Sequence, residues 1–408
     1  MSTPEKVCVI GLGYIGLPTS VVLAQAGKKV VGVDVNPDAV ASINSGKAHI
    51  VEPDLDGLLH SVVSRGALVA KTQPEPAQVF VIAVPTPFKG DHEPDLSYVE
   101  SASRAIAPHV AEGNLIVLES TVPPGATERM VEWILEERPD LAVDDGARFY
   151  AAHCPERVLP GRILIELVEN DRVVGGVDEE STRVARDFYQ GFVRGECVGT
   201  TARTAELAKL SENAFRDANI AFANEVSMVA DRLDIDVWEL ISLANRHPRV
   251  NILMPGAGVG GHCIAVDPWF IIDAAPQDTS FMRSARETNL RKTDWVVERV
   301  VEALEGEGRQ ALACFGLSYK PDVDDLRESP AVEVVKKVFD RTGLPVLVVE
   351  PHIETLPSEL VGKARLVAAN EAIESAQVLV PLVAHKAFAG LAKTGDNHRI
   401  VDPAGVWS

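Results

Sequence analysis

Four glycines precede a single cysteine in Gly256-Ala257-Gly258-Val259-Gly260-Gly261-His262-Cys263, and Asp267-Pro268 follow it closely. Without Cβ atoms, such a backbone reaches positive φ and approaches a bound molecule closely. A glycine-rich loop is a poor place to bury an inert thiol, so Cys263, with His262 and Asp267 beside it, reads as a nucleophile. A second constellation lies upstream: Lys209, Asn213, Arg216 and Asp217 fall at three- and four-residue steps, so one helix can bring them to a shared face. Asn213 and Asn219 are poor helix formers, which points to use in a site. A third stretch, Cys154-Pro155-Glu156-Arg157-Val158-Leu159-Pro160-Gly161, is a proline-stiffened loop that presents an acid and a base.

These groups need rigid elements to hold them. Val7-Cys8-Val9-Ile10 reads as a buried strand that turns through Gly11-Leu12-Gly13-Tyr14-Ile15-Gly16 into a helix. The next strand, Val30–Val33, delivers Asp34. Strand, glycine turn, helix, strand and terminal acid stand in the order that binds a dinucleotide. Gly11 makes the turn, Gly13 admits the pyrophosphate, Gly16 packs helix on strand, and Asp34 takes the ribose hydroxyls while repelling a 2′-phosphate. NAD is the cofactor this predicts. Strands at Val79–Val84 and Leu115–Glu119 end in polar turns, which puts Thr86 and Thr121 at the carboxyl ends of the strands, where ligands of open α/β sheets sit.

From Thr204 to Leu233 apolar residues recur at helical spacing without proline or glycine, so one extended helix links two parts of the chain. Another helix is expected from about Phe281 to Leu304. The opening pattern then repeats: Leu312-Ala313-Cys314-Phe315-Gly316-Leu317-Ser318-Tyr319 parallels the first turn, and Val346–Val349 with Glu350 parallels the strand ending in Asp34. Val378–Val383 and Ile400-Val401-Asp402 complete a second α/β unit. Ser318 and Pro321 replace the second and third glycines, so this copy keeps the fold and loses the dinucleotide turn. Its loop from Tyr319 to Pro330 is free for another ligand, with Lys320 and Arg327 suited to phosphates.

The chain of 408 residues is therefore read as two Rossmann-like parallel-sheet domains joined by a helical central domain: residues 1–198, 199–305 and 306–408. A net charge of −20 argues against nucleic acid as a partner. No window has the length and apolarity of a membrane span, and the start reads as a cytoplasmic protein without a signal peptide. The five cysteines are scattered, with no pair at metal or redox spacing, so neither disulfides nor a metal site is expected.

Together the GLGYIGLP turn with Asp34, the Glu119-Ser120-Thr121 strand end, Lys209 with Asn213, and the GGHC loop resemble the nucleotide-sugar 6-dehydrogenases over essentially the whole chain. Cys263–Pro268, Cys154–Gly161 and Asn245–Asn251 resemble the branch acting on UDP-N-acetylmannosamine; UDP-glucose enzymes usually carry lysine where Val266 stands. The resemblance implies NAD-dependent four-electron oxidation of C6 through a thiohemiacetal and thioester on Cys263, feeding surface polysaccharide. Lys209 is similar to the family's acid/base or oxyanion-stabilising lysine; Asp267 and Thr121 are implied to orient the hydrolytic water, and Asn213 to donate a hydrogen bond to the developing oxyanion. For the sugar nucleotide it implies Arg157, Val158, Lys209, Asn213, Arg216, His247, Arg249, Gly260, Tyr319 and Lys320. For NAD it implies Gly11, Gly13, Tyr14, Ile15, Gly16, Asp34, Thr86, Thr121 and Arg327. Related enzymes send an arginine near position 249 into the neighbouring subunit's site, which implies a homodimer with shared sites. Other readings are a UDP-N-acetylglucosamine or UDP-glucose 6-dehydrogenase, a two-electron hydroxyacid dehydrogenase, and a non-catalytic NAD-binding protein.

Overall fold

The structure, a computed structural model, describes residues 6–90, 92–144, 146–159, 161–305, 311–391 and 398–407. The chain start and Pro160 lie outside the described residues. Two compact units divide the chain, Met1–Ser211 and Glu212–Ser408, with the division falling inside one long helix, Ala202–Arg232.

The first unit is built on eight strands: β1 (Lys6–Ile10), β2 (Lys29–Val33), β3 (Leu68–Lys71), β4 (Val79–Ile82), β5 (Leu115–Leu118), β6 (Tyr150–His153), β7 (Arg172–Gly176) and β8 (Cys197–Thr201). They lie in the order β8-β7-β6-β5-β4-β1-β2-β3. Continuous apolar strands follow from having both faces covered. Val7, Val9, Val79, Val81, Leu115 and Val117 face one core with the first helix, Gly16–Gln25. Cys8, Ile10, Phe80, Ile82, Ile116 and Leu118 face the other. Each fully buried side chain of this kind stabilises the unit by about 1.5–3 kcal/mol relative to exposure.

The expected parallel sheet has one exception. β7 pairs antiparallel with β6, while β8 runs parallel to β7. This edge was not read from the sequence: β8, CVGTT, exposes Val198, Gly199 and Thr201 and lacks an apolar run.

The second unit repeats the plan with β9 (Leu312–Phe315), β10 (Val346–Val349), β11 (Ala364–Leu366), β12 (Val378–Pro381) and β13 (Arg399–Ile400), in the order β11-β10-β9-β12-β13 and all parallel. Leu312 and Cys314 face one core, and Ala313 and Phe315 the other. Val296, Val297 and Val300 of the helix Ser280–Ala303 cover the first of these faces.

Candidate active site

At the first turn Gly11 sits at φ 90°, and a Cβ there would lie 2.6 Å from the Ala83 carbonyl oxygen. At Gly16 a Cβ would fall 1.8 Å from the Gly11 carbonyl oxygen, whereas at Gly13 nothing lies within 4 Å. The first and third glycines are thus required by the chain's own packing, and the second opens outward. Half-buried Asp34 accepts Leu12 N–H at 3.0 Å through Oδ2 and Asn36 N–H at 2.9 Å through Oδ1, which fixes its carboxylate beside the turn. The first turn of the helix Gly16–Gln25 holds no acidic residue, so its N-terminus stays favourable to an anion. Exposed Tyr14 and half-buried Ile15 complete the turn. Open glycine, unneutralised helix start and strand-end acid fit NAD.

The ends of β4 and β5 are tied together: Thr86 Oγ1 donates to the Thr121 carbonyl at 2.6 Å, and Ser120 Oγ to the Val84 carbonyl at 2.6 Å. Both threonines stand at the carboxyl end of the sheet, as expected. The next strand, β6, leads into the loop that carries Glu156, Arg157 and Val158. Desolvation raises the Glu156 carboxyl above its usual range, opposed by the charge of nearby Lys209. The sequence reading left Glu156 out of the catalytic set. Its signal was the Pro-Glu-Arg run itself, but proximity to Lys209 arises only from the fold. Burial pushes the His153 imidazole down to about 3, and the Lys209 charge acts in the same direction, so it stays neutral at working pH.

In the second unit Cys263 lies in the turn ahead of the helix Asp267–Ala274, and its carbonyl accepts Asp267 N–H at 2.8 Å. Asn213 Nδ2 donates to Asp267 Oδ2 at 2.6 Å, with both side chains buried. The structure therefore joins three of the predicted catalytic residues. Cys263 is half-buried while Cys8, Cys154, Cys197 and Cys314 are buried. Burial holds Cys8 at about 11 and Cys154 at about 12, so neither offers a thiolate near neutrality.

The glycines of this loop have a further explanation. A Cβ on Gly260 would lie 2.3 Å from the Glu328 carbonyl oxygen, and one on Gly261 2.8 Å from the Tyr319 ring. Gly261 N–H also donates to the Arg327 carbonyl at 3.1 Å. The cysteine loop is thus packed onto the Tyr319–Pro330 loop of the second turn. Burial raises the Tyr319 hydroxyl, with Asp325 and Cys263 adding to the rise and Arg327 and Arg216 opposing it; all five groups share one neighbourhood. Lys320 lies 5.7 Å from the Tyr319 ring centroid. The Arg327 guanidinium chelates Asp325, with Nη2 to Oδ2 at 2.6 Å.

Two helix residues take other roles than expected. Asp217 does not share an open face with Lys209 and Asn213: it is buried against Arg286 at 2.5 Å and also accepts from Asn289 at 2.7 Å. Asn289 Oδ1 accepts from Asn224 Nδ2, whose Oδ1 in turn accepts Gly256 N–H at 2.9 Å. This chain of polar groups anchors the start of the cysteine loop to two helices. Asn219 bonds back to the Phe215 carbonyl at 2.7 Å, which accounts for it locally. His247 and Arg249 are exposed, and His247 Nδ1 accepts Arg249 N–H at 3.3 Å.

Scattered in sequence, Asp322, His352 and His385 bring ligand atoms within 4.8 Å of one another, a cluster that spacing did not show. His385 Nδ1 is already taken by Asp322 N–H at 2.9 Å. No helix among the described residues is long and apolar enough to cross a membrane.

Two glycine turns, one open and one altered, and a cysteine turn beside a buried Asn–Asp pair define an NAD-linked dehydrogenase of nucleotide sugars. The chain matches the UDP-glucose/GDP-mannose dehydrogenase family in its NAD binding domain over residues 5–193, its central domain over 203–291 and its UDP binding domain over 313–408, and it belongs to that family. It is 54% identical over 409 residues to an NDP-N-acetyl-D-galactosaminuronic acid dehydrogenase of Ralstonia nicotianae, covering 99% of this chain and 96% of that one. It is also 54% identical over 395 residues to the UDP-N-acetyl-D-mannosamine dehydrogenase of Campylobacter jejuni, covering 95% and 97%. Among solved structures, the UDP-D-ManNAc dehydrogenase of Pyrococcus horikoshii superposes with a TM-score of 0.88 at 38% identity, covering 99% of this chain and 96% of that one.

Proposed function

We propose that the protein oxidises C6 of UDP-N-acetyl-D-mannosamine to the uronate in two two-electron steps, working as three parts: residues 1–198, 199–305 and 306–408. Bound NAD supplies the hydride acceptor for both oxidations. Gly11, Gly13, Tyr14, Ile15, Gly16, Asp34, Thr86, Thr121 and Arg327 hold it. Lys209 takes the C6 hydroxyl proton or steadies the oxyanion, and half-buried Glu156, whose carboxyl burial raises, stands near it. The Cys263 thiolate adds to the aldehyde carbon, forming a C–S bond. Oxidation of this thiohemiacetal gives a thioester, and water cleaves the C–S bond to release the carboxylate and restore the thiol. Asp267, oriented by Asn213, and Thr121 direct that water.

Arg157, Val158, Arg216, His247, Arg249, Gly260, Tyr319 and Lys320 bind the sugar nucleotide, the cations among them giving an acidic protein local contacts for a diphosphate. The observation that carries the reading is the Cys263 turn locked to a buried Asn213–Asp267 pair at 2.6 Å. The motifs around Cys263 and Glu156 favour the mannosamine substrate. A second reading, a galactosamine-configured sugar, is favoured by the equal identity to the Ralstonia relative. Assay of UDP-N-acetylmannosamine, its glucosamine and galactosamine epimers and UDP-glucose separates these readings.

With the right sugar, two NADH form per sugar, and Cys263→Ala lowers uronate formation by at least about a thousandfold, equivalent to about 4 kcal/mol of barrier. One NADH per sugar, or undiminished uronate formation by the variant, overturns the mechanism. The enzyme is a cytoplasmic homodimer in this reading. Phe215, Phe222 and Val229, exposed by 70%, 54% and 52%, recur every seven residues on the long helix, a stripe that a second copy would cover. Phe222→Lys is expected to shift the sedimenting mass to a monomer.

A further inference from the structure

We propose that Glu52 is a positioning residue for this reaction: by holding Gly161 and Ile163 it sets how the preceding residues Glu156, Arg157 and Val158 are presented. Glu52 is nine-tenths buried, between the helices Pro37–Asn44 and Leu55–Ser64. Its Oε2 accepts Gly161 N–H at 2.8 Å and its Oε1 accepts Ile163 N–H at 2.7 Å, across 109 and 111 residues of chain. Both bonds are charge-assisted, and both oxygens are used.

The bonds fall at the downstream end of the loop, where it enters the helix Ile163–Glu169. The helix Ile163–Glu169 begins after Arg162, which makes no side-chain cap bond, so Glu52, distant in sequence, supplies the missing acceptor for Ile163 N–H. The other clamps on the loop are local: Glu166 accepts Leu159 N–H at 2.9 Å, and Asn170 donates to the Arg157 carbonyl at 3.1 Å. Ile163 and Leu167 pack on Val22 of the helix that opens at the first glycine turn. Glu52 follows the helix that begins two residues beyond Val35, next to Asp34. The loop's exit is therefore tied both to Glu52 and to the helix Gly16–Gln25, and displacement of about 1 Å at such a loop is enough to cost about a hundredfold in rate.

The inference rests on the assignment of this loop to the substrate, so the test separates the two. Glu52→Gln keeps the shape but turns an amide NH₂ toward one of the two N–H groups, losing that bond. In the full-length enzyme, KM for the UDP-sugar should rise at least tenfold and kcat fall, while Kd for NAD, titrated without sugar, stays within twofold. Glu52→Asp keeps the charge and falls one methylene short; a KM raised about threefold with unchanged NAD affinity is expected, and this variant carries the test if the first does not fold. A structural cap alone would lower Tm without splitting sugar from cofactor, so unchanged KM, or equal weakening of both ligands, overturns the proposal. Arg157→Ala is measured alongside. If it leaves KM unchanged, the loop's assignment fails; if it raises KM while both Glu52 variants are silent, only the role of Glu52 fails.

Discussion

The two glycine turns share a backbone and differ in what the strand-end acid is made to do. In each, the glycine N–H donates to the last residue of the neighbouring strand, Gly11 to Val33 at 2.8 Å and Gly316 to Val349 at 2.8 Å. In each, the acid accepts the next N–H, Leu12 to Asp34 at 3.0 Å and Leu317 to Glu350 at 2.7 Å. Each acid also accepts the N–H two residues on through its other oxygen, Asn36 to Asp34 at 2.9 Å and His352 to Glu350 at 3.0 Å, and there the likeness ends. Glu350 is buried and also accepts Ser318 N–H at 3.1 Å, while His385 Nε2 lies 3.1 Å from the same oxygen. Because His385 Nδ1 accepts a backbone N–H, its proton sits on Nε2 and points at Glu350. Ser318 Oγ closes the turn by donating to the Lys320 carbonyl at 2.7 Å. The second turn is closed by its own side chains, and the first is open at Gly13, where a ligand can approach the backbone. One fold thus gives a cofactor site or a self-satisfied support, depending on whether the turn's donors are already spent.

The sharpest way to break this comparison is at Gly16. Gly16→Ala drives a methyl into the Gly11 carbonyl and should cost about 3 kcal/mol or more, seen as a large fall in Tm and loss of NAD binding. Gly13→Ala should leave Tm unchanged yet weaken NAD at least tenfold. A Gly13 variant with normal NAD affinity would mean that the open space is not the cofactor's.

The acids provide the next contrast. Glu350→Gln should lower stability by about 2–4 kcal/mol without changing Kd for NAD, because it weakens buried charge-assisted bonds. Asp34→Asn should do the reverse: about a tenfold loss of NAD affinity, about 1.4 kcal/mol, with Tm nearly unchanged. The pH dependence follows from the same carboxylate. Desolvation pushes Glu350 up, but the His385 bond and the Leu317 N–H together hold it below the usual range. Its stabilisation is therefore complete above the unfolded value of about 4.3 and lost as pH falls through the lower, folded value. Denaturant melts between neutral and acid pH should show that loss in the wild type and a flatter limb in Glu350→Gln.

Most of the scaffold was legible because it is local. Val7–Ile10, the glycine turn and Val30–Asp34 announce themselves through apolar runs and φ requirements, and the helix read from Thr204 to Leu233 forms over Ala202–Arg232. The repeat at Leu312 was legible for the same reason. Strand β7 and the edge strand β8 were not, since runs interrupted by glycine and polar residues look like loops. In the site, the Cys263, Asn213 and Asp267 grouping was anticipated, and Asp217 was misplaced because its helix face could be solvent or core with equal ease.

By itself the sequence determined the order of the main elements, the open and altered turns, and the glycine run that leads to Cys263, because each depends on residues within a few positions of one another. Tertiary structure alone decided that Glu52 reaches Gly161, that Asp217 anchors Gly256 through Asn289 and Asn224, and that His385 reaches Glu350 at the second turn. Those are pairings of polar groups 30 to more than 100 positions apart. Any of these side chains would be equally content in water, so only the packing of the two units' cores fixes which partner each one meets.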